Sequence, residues 1–259
     1  MKSATIEVMN NYGFGIDVGG SGVKGAIVDL DNGTFVGERI KILTPKPSTP
    51  DAVADTCRQI VEQTEWTGPV GITIPAIVKQ QQARSAANID KSWIDTDVSE
   101  LFHRHIGPTR DIAVLNDADA AGIAEVAYGN PIARKGSVIF LTFGTGIGSA
   151  LLINGQLYPN SELGHLNIDG KEAERRASSA VKERKDLSYK EWAKRVDRVL
   201  KEYEKLFSPT TFVAGGGISR KHEKWIPRLT CETTVVPAEL LNRAGIVGAA
   251  MAARDHICP

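Results

Sequence analysis

Two glycine-rich loops set between short apolar runs, with one Asn-Asp pair between them, constrain this chain more than any other feature. The first loop, Asp17-Val18-Gly19-Gly20-Ser21-Gly22-Val23-Lys24, follows the run Gly13-Phe14-Gly15-Ile16. The pair Asn116-Asp117 closes the run Ile112-Ala113-Val114-Leu115. The second loop, Gly144-Thr145-Gly146-Ile147-Gly148, lies between apolar stretches at 138–143 and 150–153. Glycines without a Cβ let backbone N–H groups crowd around an anion. Two such phosphate cradles with a carboxylate between them imply phosphoryl transfer to a hydroxyl.

A chain of 259 residues can bury a sizeable core in one large domain or two ordinary ones. Lys plus Arg equals Asp plus Glu at 31 each, so no global field recruits a polyanion and any basic groove has to be local. No run approaches a membrane span, and the first residues lack a signal-peptide core. Cys57, Cys231 and Cys258 are scattered, which argues against a disulfide framework or a zinc knuckle. The expectation is a reduced, soluble, cytoplasmic protein.

Residues 13–43 read as consecutive strands with a turn at Asp31-Asn32-Gly33. Pro45, Pro47 and Pro50 break that pattern, and Ser48-Thr49-Pro50-Asp51 reads as a helix start, with Val53, Cys57, Ile60 and Val61 at helical spacing. Val70-Gly71-Ile72-Thr73-Ile74 predicts a buried strand, 112–115 another, and 118–128 a helix. A second hairpin surrounds the second glycine loop. Residues 171–205 read as one long charged helical stretch, with Trp192, Val196, Val199, Leu200 and Tyr203 as its apolar stripe. Phe212-Val213-Ala214 predicts a strand entering Gly215-Gly216-Gly217, and 244–253 a small-residue helix. Strand, glycine turn and strand recur in both halves, which implies two related α/β lobes with a cleft between them.

Each motif has a blander reading. Gly20-Ser21-Gly22-Val23-Lys24-Gly25 formally matches the dinucleotide fingerprint, but that motif needs a helix directly after it, and 26–30 reads as a strand. A glycine hairpin alone is a tight turn; Asp17 beside it could hold hydrated Mg²⁺ against phosphates. Asn116-Asp117 alone would be a helix cap, whereas at a strand end facing a cleft Asp117 could accept the proton of an attacking hydroxyl. Glu162 and His165 in Ser161-Glu162-Leu163-Gly164-His165 could share one side of a helical turn and bind adjacent sugar hydroxyls, or serve as metal ligands. The stretch 171–205 carries twelve Lys or Arg against eight Asp or Glu. Its more basic first part, with Arg175, Arg176, Lys182 and Lys185, could be a solvated face or could track a polyanion, with Lys182 the leading candidate.

Together these motifs resemble the ROK-type sugar kinases of the actin-like, sugar-kinase and Hsp70 ATPase superfamily over nearly the whole chain. The resemblance implies an α/β, two-lobed actin-like (ribonuclease H-like) fold with a central cleft. Its expected lobes are 1–114 with 245–259, and 115–244. It implies phosphate or nucleotide binding by Asp17, Gly19, Gly20, Ser21, Gly22 and Lys24, by Gly144, Thr145, Gly146 and Gly148, and by Gly215, Gly216 and Gly217 in the adenosine motif. Sugar binding falls to Asn88, Asn116, Asp117, Glu162, His165 and Glu174, with Asp117 as catalytic base. Asp17 would position Mg²⁺ through water. Most ROK proteins follow the Gly-His with a Cys-x-Cys-Gly-x-x-Gly-Cys-x-Glu zinc segment; residues 166–178 here contain no cysteine, so zinc is not expected.

The cysteine-free segment, Ala-Ala-Asn-Ile-Asp-Lys-Ser-Trp at 86–93 and Gly-Gly-Gly-Ile-Ser-Arg-Lys at 215–221 look like the actinobacterial polyphosphate glucokinases, some of which also use ATP or accept mannose. The expected partners are therefore glucose or mannose with polyphosphate or ATP, a homodimer as the candidate assembly, and neither nucleic acid nor membrane. An ATP-only hexose kinase is the nearest alternative. A sugar-sensing repressor would need a helix-turn-helix before the core, and only twelve residues precede Gly13. A filament or chaperone ATPase would not need the sugar constellation.

Overall fold

A computed structural model of the chain describes residues 11–87 and 89–259. The first loop is the turn of a hairpin, β1 (Tyr12–Gly19) with β2 (Gly22–Asp29), and the Asp31-Asn32-Gly33 turn leads into β3 (Thr34–Ile42). Helix α1 (Pro50–Gln63) starts behind Thr49, where proline's fixed φ suits the first turn, and buries Val53, Cys57, Ile60 and Val61. The chain continues through β4 (Val70–Ile74), a short hairpin of β5 (Val78–Lys79) and β6 (Gln82–Ala83), α2 (Val98–Ile106), β7 (Ile112–Asn116) and α3 (Asp117–Tyr128). The strand after the first loop, where a dinucleotide site would need a helix, removes that reading.

The second half repeats the plan with β8 (Ser137–Phe143), β9 (Ile147–Ile153) and β10 (Gln156–Tyr158). A hairpin of β11 (Asn167–Ile168) and β12 (Lys171–Glu172) leads into α4 (Ala173–Ala177), α5 (Ser179–Arg184) and α6 (Tyr189–Phe207). The expected single helix over 171–205 is thus three. Ser178 caps α5 by accepting the Val181 N–H, and Ser188 caps α6 in a capping box with Glu191, so each serine turns the chain out of helix and restarts it. Strands β13 (Thr211–Gly215) and β14 (Thr234–Pro237) follow, and α7 (Ala244–Arg254) ends the chain's regular structure.

The two sheets share one topology. The first is ordered β3-β2-β1-β4-β7 and the second β10-β9-β8-β13-β14. In both, the three hairpin-linked strands pair antiparallel and the remaining two join parallel. Each glycine loop is the turn between the first two strands of its sheet. The equivalence is the duplicated α/β unit that the sequence implies.

Contacts cluster the chain into two compact units, residues up to Ala124 with Asn242–Pro259, and Glu125–Leu241. The expected boundary stood at 114/115; the clustering keeps the first turns of α3 with the first sheet. That sheet packs on α7, whose small residues bring backbone against backbone: a Cβ at Gly15 would strike the Ile246 carbonyl, and one at Gly71 the Ala249 carbonyl. In the second unit Phe143, Trp192 and Trp225 meet edge to face, with centroids 4.9–5.8 Å apart, and the indole N–H of Trp192 donates to the Ala177 carbonyl at 3.0 Å. The whole expected stripe of α6 is buried there.

Candidate active site

In the first unit the sheet register builds the surroundings of Asp17. Lys24 stands opposite it across the β1–β2 hairpin and Thr73 beside it on β4. The ammonium of Lys24 lies 3.2 Å from one carboxylate oxygen, and the Thr73 hydroxyl donates to the other at 3.1 Å. Gly20 and Ser21 form the exposed tip of the turn, with Gly19 and Gly22 as its last ladder pair. Because β1, β4 and β7 run parallel, Asn116 and Asp117 lie at the same carboxyl edge of the sheet as this turn. Such edges are where open α/β sheets take ligands. Asn116 donates its amide to the Ala76 carbonyl at 3.1 Å. Asn88, the remaining expected sugar ligand of this part of the chain, lies outside the described residues.

In the second unit β8 and β13 are also parallel, and Gly215 pairs with Thr142, so the loops at 144–148 and 215–217 leave the sheet side by side. The Gly144 N–H donates to the Gly146 carbonyl at 3.0 Å, leaving Thr145 exposed at the tip. Gly216 has φ +85°, a conformation that favours glycine, and the Ser219 hydroxyl donates to its carbonyl at 2.8 Å.

The turn Ser161 to His165 is bolted to β9. Ser149 donates its hydroxyl to the Ser161 carbonyl at 2.7 Å and accepts the Leu163 N–H at 2.9 Å, while Tyr203 donates to the Leu163 carbonyl at 2.7 Å. Glu162 and His165 do share one side of this turn, with Nε2 of His165 3.8 Å from the Glu162 carboxylate. Nδ1 of His165 lies 3.4 Å from Glu172, which Arg175 holds at 2.6 Å. Glu174, on the first turn of α4, sets its Oε2 against Gly146, in the space a Cβ would fill. The second glycine loop and three expected sugar ligands are therefore one neighbourhood. Burial pushes the Glu162 carboxyl above the ordinary glutamate range; His165 pulls it back and Glu174 pushes it further up.

One donor atom each from His165, Glu172 and Glu174 lies within 4.8 Å of the others. This set could hold a divalent cation through oxygen and imidazole, but it offers no thiolate; Cys57, Cys231 and Cys258 are elsewhere. Asp17 fits a different role. Both its oxygens already have partners in Lys24 and Thr73, which favours contact with a hydrated cation over direct ligation.

Of the basic candidates on 171–185, Arg175 is engaged with Glu172, and Arg176 donates to the Ile168 carbonyl at 2.7 Å. Lys182 instead sets its ammonium over the Tyr189 ring, 4.5 Å from the centroid. Glu172, Tyr189 and Lys224 carry no motif, and only the fold brings Glu172 to His165 and Tyr189 to Lys182 and Lys224. A cavity of about 610 Å³, lined by Asp51, Asp97, Glu100 and Arg104 among others, contains none of the candidate site residues. No described helix is long and apolar enough to cross a membrane.

Residues 13–178 match the family model described as the ROK family. The polyphosphate glucokinase of Mycobacterium tuberculosis (strain CDC 1551 / Oshkosh) is 56% identical over 241 residues, covering 93% of this chain and 91% of that protein. The crystal structure of inorganic polyphosphate/ATP-glucomannokinase from Arthrobacter sp. strain KM matches at TM-score 0.86 and 45% identity, covering 95% of this chain and 99% of that one. A ROK family glucokinase from Streptomyces griseus, in complex with glucose and AMPPNP, shares the fold at TM-score 0.78 and 23% identity, covering 94% and 99% of the two chains.

Proposed function

This chain belongs to the ROK family, and we infer that it is a hexokinase-type enzyme that moves the terminal phosphoryl group of inorganic polyphosphate or ATP to O6 of glucose. The observation that carries the reading is 56% identity with a polyphosphate glucokinase over 93% of the chain. The packing of Glu174 against Gly146 supports it, because it sets an acceptor ligand beside a donor loop.

In this reading Asn88, Asn116, Asp117, Glu162, His165 and Glu174 bind the sugar. Their carboxylates and amides suit the dense hydroxyls of a hexose. Asp117 takes the O6 proton as that oxygen attacks the terminal phosphorus. The bond from phosphorus to the bridging oxygen breaks, and the shortened donor leaves with the electron pair. Gly19, Gly20, Ser21, Gly22 and Lys24, Gly144, Thr145, Gly146 and Gly148, and Gly215 to Gly217 cradle the phosphates or nucleotide, and Lys182 holds more distant donor charge. Phosphoryl transfer of this kind needs a divalent cation, which supplies charge neutralisation on the donor. Mg²⁺, held through water by Asp17, is the cation proposed, with no role for zinc. Mannose as a second acceptor, a homodimer and a cytoplasmic setting belong to the same proposal.

A coupled assay for hexose 6-phosphate, run with glucose and mannose against ATP and polyphosphate, tests the reading. Sugar-dependent product from glucose with at least one donor is the expected result. Donor hydrolysis with no sugar phosphate would overturn it.

A further inference from the structure

Lys182 is not alone on Tyr189. The ammonium of Lys224 lies 5.6 Å from the same ring centroid, against 4.5 Å for Lys182, which puts the two cations within about 10 Å of each other. Among the described residues neither has a carboxylate within 4.0 Å. Aromatic faces attract ammonium groups, but two like charges drawn to one ring still repel, and an anion between them relieves that repulsion.

The elements that carry these lysines are tied to the phosphate loops. Lys182 is on α5, where the Ala180 N–H and the Ser179 hydroxyl both donate to the Gly144 carbonyl, at 3.1 and 3.0 Å. Lys224 ends the 3₁₀ segment Gly217–Lys224, which begins behind Gly216; the missing Cβ of that glycine makes room for the Phe143 backbone. Both lysines thus hang from supports seated on Phe143 and Gly144. Tyr189 opens α6, and the Ser188–Glu191 capping box fixes where the ring emerges.

We propose that Lys182 and Lys224, gathered on Tyr189, clamp a linear polyphosphate chain beyond the phosphates that react. The inference rests on the donor assignment made above. ATP and polyphosphate present the same terminal groups to the glycine loops, but ATP then ends in a neutral nucleoside, whereas polyphosphate continues as a line of charge. A pair of cations without acidic partners, one step beyond a phosphate loop, suits the second and adds little to the first.

Lys182→Gln, Lys224→Gln, Tyr189→Leu and Tyr189→Phe test the clamp, with Lys205→Gln at the far end of α6 as control. KM for long-chain polyphosphate and for ATP is measured at saturating glucose and two salt concentrations, and binding of labelled polyphosphate is followed by fluorescence anisotropy. Each lysine variant is expected to raise KM for polyphosphate about tenfold more than KM for ATP, with a smaller gap at high salt. Tyr189→Leu should follow in the same direction and Tyr189→Phe should not, because only the first removes the ring. Equal effects on both donors would place the lysines in the common phosphate site and overturn the clamp, as would no effect on either. Wild-type protein that neither binds nor uses polyphosphate would remove the donor assignment and the clamp together. Wild-type protein that uses it, with Lys224→Gln equally able, would remove the clamp alone.

Discussion

Asn116 accepts the N–H of Ala118 at 2.8 Å through its side-chain oxygen, and that of Asp119 at 3.3 Å through the same atom. The amide side of Asn116 meanwhile anchors to Ala76, so this residue closes helix α3 and ties it to the chain beyond β4. Asp117 also accepts the Ala118 N–H, at 2.9 Å, a donor that Asn116 already serves. Fold and chemistry can therefore be separated at this pair. Asp117→Asn keeps the shape and loses the basic carboxylate, so kcat should fall by about 10²–10⁴ with either donor. The melting temperature should stay close to that of the wild type. A variant keeping more than roughly a third of kcat would sink the base assignment.

The raised carboxyl of Glu162 gives a pH signature. A carboxylate that accepts sugar hydroxyls binds only when ionised, and burial shifts its protonation above the ordinary glutamate range. As pH falls through that raised value the binding form is lost, so KM for glucose should climb earlier than an exposed glutamate would allow. Glu162→Gln should show a high KM at every pH and no such climb. A wild-type KM that stays flat down to about pH 4 would remove Glu162 from the sugar site.

Local pattern made the strands and loops legible. β-branched runs broken by Gly and Pro marked both hairpins, and Thr49-Pro50 marked the start of α1. The turn Ser161 to His165 was legible as a motif, but its rigidity was not, because Ser149 and Tyr203 reach it from other elements. The breaks at Ser178 and Ser188 were missed although Ser188 and Glu191 spell a capping box, since a continuous charge run masked the local stop. Glu172, Tyr189 and Lys224 left no signal, because only tertiary contact gives them partners.

Glu125 illustrates the same limit in a structural role. Its two carboxylate oxygens accept the N–H groups of Glu239 and Leu240, each at 2.8 Å, across more than a hundred residues of chain. Burial nevertheless pushes its pKa up. The protonated form is thus favoured by folding, and this contribution is greatest below the unfolded-chain pKa and lost as pH rises through the folded value. In Glu125→Gln one acceptor becomes an NH₂ that cannot serve a backbone N–H, which should cost about 1–3 kcal/mol. Urea unfolding across pH should show that loss together with a weaker pH dependence above the ordinary glutamate range. Unchanged stability would mean that the two N–H groups find other acceptors.

Gly146 and Glu174 offer the sharpest test of how the proposed donor loop and the proposed sugar ligand are joined. The carboxylate of Glu174 occupies the place a Cβ at position 146 would take. In Gly146→Ala the mobile end of that side chain should swing away while the loop keeps its course, since the clash is with a side-chain tip and not with backbone. A sugar hydroxyl would then lose a charge-assisted hydrogen bond of about 1.5–3 kcal/mol, and KM for glucose should rise roughly tenfold or more. Glu174→Gln should produce a comparable rise by weakening the same bond. The double variant decides between a shared and a separate cause. If both changes act through one carboxylate, their effects on KM for glucose should fall well short of additive. Full additivity would instead show that Gly146→Ala disturbs the glycine loop by itself, independently of the Glu174 carboxylate.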